Sequence, residues 1–150
     1  MAVAVRATLR RIQLRRRAIE RLALRILDLT GQSRADLSLL FSGDRRMRRL
    51  NRTYRGKDSS TDVLAFPAAK PARRPTPLLG DVVISLPQAR RQARAAAVSL
   101  DREVTTLLIH GVLHLMGYDH ERSGHEARRM HRKEQDLLHE LGRIPLLVRE

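Results

Sequence analysis

The chain has 150 residues, no cysteine, and 30 lysines plus arginines against 16 acids, a formal charge of +14. That length suits a single domain over residues 1–150 with a core of its own. The lack of cysteine excludes disulfides and thiolate metal sites. No apolar run approaches the roughly 18–20 residues that cross a bilayer, so no membrane partner and a cytoplasmic location are expected. The charge points to a polyanionic partner, most simply nucleic acid. Lysine occurs only at Lys57, Lys70 and Lys133. A GC-rich coding bias explains the preference for arginine, but not the shortage of acid.

In chain order, Ile12, Ile19, Leu22, Ala23 and Ile26 fall at helical spacing, with Gly31 as the stop. The other face of that helix carries Arg11, Arg15, Arg16, Arg17 and Arg25, more often a solvated face but the best candidate surface for a nucleic-acid contact. Leu37 to Phe41 reads as a strand, and Arg45 to Asn51 as a short basic helix. Two further strands are expected at Thr61–Phe66 and Asp81–Ser85, with a proline-rich basic loop over Pro67–Pro77 between them. Helices are expected at Pro87–Ala97, Leu100–Met116 and Glu126–Leu141, the last stopped by Gly142 and Pro145. The fold class is therefore α+β, a single domain. A small mixed sheet of about four strands packs with about five helices.

The helix Leu100–Met116 is apolar nearly all round, so it is expected to be central and buried. Ser99 caps it, and Asp101 and Glu103 suit its first turn. Its polar line beyond that turn is Thr106, His110, His114 at four-residue spacing. Residues four apart lie about 40° from each other around a helix, so both imidazoles face one point. Gly117 can end the helix in a left-handed turn that returns His120. Three histidines with an open fourth position form the pattern of a catalytic zinc site, and one Zn2+ on His110, His114 and His120 is the expected cofactor. Nickel or copper also accept three nitrogens.

The spacing matches the zinc-protease pattern H-E-x-x-H-x-x-G-x-x-H except that Gly111 replaces the glutamate that serves as general base. Asp119 is a candidate substitute, or a residue that orients a ligand or caps a turn. His125, His131 and His139 are read as surface residues.

The run from His110 to His120 resembles the signature H-G-x-L-H-L-x-G-Y-D-H of the YbeY endoribonucleases, bacterial rRNA maturation factors. The likeness continues in Leu50–Asp58, Thr61–Pro67 and Leu79–Ser85, and spans roughly residues 35 to 141. Ser60 and Ala65 depart from it, standing where the family usually has proline and serine. The resemblance implies a mixed α/β fold and a zinc held by His110, His114 and His120. It implies single-strand-specific endoribonuclease activity in 16S rRNA 3′-end maturation and ribosome quality control. The partners would be single-stranded RNA and the small ribosomal subunit. Arg55 matches a functionally important arginine, so Arg55 and His114 are the candidate catalytic residues. A guanidinium suits phosphate oxygens, whereas without the resemblance Arg55 reads more simply as a solvated charge on a basic loop. Tyr54 and Tyr118 are candidates to stack on bases, or core residues. Two readings from other classes stay open: a zinc protease, against which Gly111 stands, and a non-catalytic ribosome assembly factor whose metal only holds the fold.

Overall fold

Strict alternation of apolar side chains builds the sheet and decides what covers each face. The computed structural model describes residues 2–9, 12–68, 78–121 and 123–149. Strand β1 (Val3–Ala7) leads through the two-residue β2 (Gln13–Leu14) and helix α1 (Arg16–Leu29) to β3 (Asp36–Ser42). Helix α2 (Asp44–Arg55), strands β4 (Val63–Pro67) and β5 (Leu78–Ser85), and helices α3 (Leu86–Ala96), α4 (Leu100–Leu115) and α5 (Gly124–Leu141) follow, with a final short β6 (Val148–Arg149). The main sheet has the order β1-β3-β5-β4, with β1 and β5 parallel to β3 and β4 antiparallel to β5. Among the described residues, the mixed four-stranded sheet and five helices are the expected α+β architecture.

Leu37, Leu39, Phe41, Val82 and Ile84 point to one face and join α1, α3, α4 and α5 in the main core. Leu40, Leu64, Phe66 and Val83 alternate to the other face, where α2 covers them with Met47 and Leu50 in a small separate cluster. Helix α4 is the central element, with Val104, Leu108, Ile109, Val112 and Leu113 fully buried between sheet and helices. Among the described residues, no helix is long and apolar enough to cross a membrane.

Three expectations change. The first helix begins at Arg16, not near Ile12, because the preceding chain is drawn into the sheet: Val3–Ala7 pair in parallel with Leu37–Phe41. Its basic face is also partly committed, since Arg25 donates to the carbonyls of Glu140 and Leu141 at the end of α5, at 3.0 Å each. Arg11 lies outside the described residues, as does 69–77 of the basic loop. Helix α2 runs past Asn51 to Arg55 and stops where Gly56 takes a φ of 69°.

Candidate metal centre

The histidine helix is fixed at both ends. Ser99 Oγ accepts from the Arg102 amide at 3.1 Å, and Asp101 Oδ1 accepts from the amides of Leu147 and Val148. Beyond Leu115, the Gly117 amide bonds the His114 carbonyl and the Tyr118 amide that of Leu113, while Gly117 adopts a φ of 100°. That conformation costs any residue with a Cβ, and it turns the chain back toward α4. Asp119 then closes a tight turn by accepting from the Glu121 amide at 2.9 Å. The reversal carries His120 to His110 and His114, with ring centroids 4.9–5.2 Å apart.

Nitrogen atoms of all three rings lie within 4.8 Å of one another. His114 Nε2 and His120 Nδ1 are 3.2 Å apart. Two nitrogens on one tetrahedral zinc, each at about 2.05 Å, would be separated by about 3.3 Å, so the spacing fits a shared ion. Burial, followed by the neighbouring charges of His110 and His120, pushes the His114 pKa down, toward the neutral ring that can donate a lone pair.

Glu134 on α5 completes the inner arrangement. Its Oε1 stands 2.6 Å from His110 Nδ1, and its side chain is only 12% exposed. A carboxylate there accepts a hydrogen bond from Nδ1–H and leaves the Nε2 lone pair of the same ring free to bind a metal. Sequence reasoning missed this residue, although a signal was available. Glu134 falls on the same helical stripe as the buried Met130, Leu137 and Leu141, as its one charged member.

Gly111, between the two helical histidines, faces the sheet. A Cβ there would meet Val82 Cγ1 at 2.6 Å and Val63 Cγ2 at 3.4 Å, so the helix seats directly on β4 and β5. No carboxylate fits at this position, which removes the protease arrangement sterically as well as chemically.

Arg55 arrives from the opposite side of the sheet, at the end of α2. Its Nη2 lies 3.1 Å from Glu121 Oε1, next to His120 in the chain, and the guanidinium lines the cleft that holds the three histidines. The cleft measures about 700 Å3 and is walled by residues 61–66 of the edge strand β4 and its approach. Tyr54 stands at its rim, 65% exposed, with its ring edge-on to Phe66 at 5.1 Å. Tyr118 is half-buried against the core under the Arg129 guanidinium. His125, His131 and His139 are exposed on α5, as expected.

Residues 5–142 match the family profile described as Endoribonuclease YbeY. A curated Endoribonuclease YbeY of Aquifex aeolicus is 41% identical over 135 residues, covering 90% of this chain and 89% of that protein. One from an Anaeromyxobacter species is 51% identical over 120 residues, 80% of this chain but 62% of the relative's length. The fold resembles the solution structure of a Thermotoga maritima protein, with a TM-score of 0.61 at 22% identity over 89% of this chain and 85% of that one.

Proposed function

Since the chain belongs to the endoribonuclease YbeY family, we propose that it is a zinc-dependent, single-strand-specific endoribonuclease of 16S rRNA 3′-end maturation and ribosome quality control. It acts in the cytoplasm on the small ribosomal subunit, as one catalytic domain over residues 1–150. What carries this reading is the convergence of His110, His114 and His120 with Arg55 in one open cleft.

The three histidines would hold one Zn2+, the ion that suits imidazole ligands at this spacing. When bound, zinc supplies Lewis acidity toward a phosphodiester oxygen. Glu134 orients His110 for this role by fixing its tautomer. Arg55 grips the non-bridging oxygens of the scissile phosphate and stabilises the charge that grows on them as phosphorus becomes five-coordinate. Glu121 holds the guanidinium toward the histidines until RNA enters. Tyr54 offers a flat ring to a neighbouring unpaired base, a contact a duplex cannot make. Attack on phosphorus comes from water or from the RNA's own 2′-hydroxyl, and the bond to the leaving ribose oxygen breaks. A 2′,3′-cyclic phosphate end would identify the 2′-hydroxyl.

The test compares zinc-loaded protein with a His114→Ala variant from the same purification on labelled single-stranded RNA, with circular dichroism confirming both folds. Cleavage by the parent and none by the folded variant supports the reading. Equal cleavage by both means a contaminant and overturns it. Silence from both shifts the protein toward an assembly factor.

A further inference from the structure

Helix α2 carries arginines at positions 46, 49, 52 and 55, an unbroken three-residue repeat. On an α-helix each such step rises about 4.5 Å and turns back about 60°, so the four form one oblique ridge. It climbs about 13.5 Å and passes about half-way round the helix. Met47 and Asn51 mark the buried side, and the ridge crosses the solvent side opposite them. All four residues are exposed.

The two ends of the ridge open into different depressions. Arg55 lines the histidine cleft. Arg46 lines a second, smaller hollow of about 290 Å3 with Arg6, Thr8, Arg16 and Leu40, beside β1 and β3. Arg16 is held there by a bond from Nη1 to the Val5 carbonyl at 3.2 Å. Three guanidiniums from three separate elements thus border one hollow to which, among the described residues, no carboxylate contributes. Such a group repels itself until an anion enters. Arg46 and Arg49 form no ion pair with any described residue, whereas Arg52 and Arg55 approach Asp58 and Glu121.

We propose that the hollow and the Arg46–Arg49–Arg52–Arg55 ridge form one docking track for the phosphate backbone of single-stranded RNA, leading it from the β1 edge into the cleft. The inference rests on the nuclease reading for its substrate, but its test does not need cleavage.

The experiment measures fluorescence anisotropy of a 2′-O-methyl oligoribonucleotide of about twelve nucleotides, which 2′-hydroxyl attack cannot cut, titrated with zinc-loaded protein in EDTA-free buffer over a salt series. An Arg46→Gln/Arg49→Gln variant is set beside an Arg94→Gln/Arg102→Gln control of equal charge, from exposed positions at the end of α3 and the start of α4. The track variant should bind roughly tenfold more weakly and lose about 1.4 from its log–log salt slope, two single-strand phosphate contacts. The control should stay within about twofold of the parent. Equal losses in both variants, or none in the track variant, would overturn the track and reduce the ridge to general basic charge. Tight, track-dependent binding by a protein that cuts no RNA would uphold the track and count against the nuclease reading alone.

Discussion

Helices α4 and α2 pack against opposite faces of the same sheet, and they solve opposite problems. Helix α4 is buried among the main core, and its inward polar groups are held in place: Thr105 by the Asp101 carbonyl and His110 by Glu134, with His114 set beside His120. Helix α2 rests on Met47 and a small cluster, and turns a row of arginines to water. Metal ligands must be held to fractions of an ångström, which dense packing provides. Phosphate contacts act over several ångströms and tolerate mobile side chains. Accuracy resides on one face of the sheet and charge on the other, and they meet only where Arg55 enters the cleft.

The contrast is sharpest in the core. Leu108→Ala in α4 should destabilise by about 2–5 kcal/mol, and Met47→Ala beneath α2 by about 2 kcal/mol, because its small, solvent-bordered cluster collapses more readily. Urea denaturation measures both, and a Met47→Ala cost equal to that of Leu108→Ala would break the comparison. Next in size, Gly111→Ala drives a methyl into Val82. It should cost about 1–3 kcal/mol and also weaken zinc binding, read by thermal melts and chelator competition; normal zinc affinity in a destabilised variant would separate packing from ligand geometry.

Glu134→Ala should weaken zinc by about 10–100-fold, with Glu134→Gln recovering part of it because the amide oxygen still accepts from Nδ1–H. Chelator competition would refute the role if both variants bound zinc like the parent.

The smallest effect belongs to α2. Burial pushes the Asp44 carboxyl up, but hydrogen bonds from Arg91, Ser85 and Ser60 and the Arg91 charge outweigh it and hold the pKa below the usual carboxylate range. The unfolded chain therefore binds the proton first as pH falls. The contribution is whole above about pH 3.9 and disappears as pH drops through the lower folded value. Asp44→Asn should flatten stability against pH in that acid window alone; an unchanged acid limb would contradict the assignment.

The same difference governs what was legible in the sequence. Helix α4 announced itself because its signals are local: a serine cap, an apolar surround, two histidines one turn apart and a glycine turn. The three clustered histidines and the approach of Arg55 follow from those signals and from the family resemblance. Strand β1 did not announce itself. Val3, Val5 and Ala7 alternate correctly, but their pairing partner lies more than thirty residues away in β3, and two alanines in five residues are weak strand formers. The pairing of Gln13–Leu14 with Val148–Arg149 joins segments with almost the whole chain between them. Neither pair of residues forms a pattern alone. Glu134 was visible as a carboxylate on an apolar stripe, but only the tertiary packing of α5 against α4 tells which group it meets.

That small β2–β6 ribbon has a consequence for how the molecule opens. The Arg15 amide bonds the Leu147 carbonyl, while the amides of Leu147 and Val148 both bond Asp101 in the first turn of α4. The polypeptide is thus buckled into a ring, with the start of α4 as the tongue of the buckle. A segment that would otherwise peel away residue by residue is released only together with that turn. Amide hydrogens at 147 and 148 should exchange in step with those of the histidine helix rather than with surface loops.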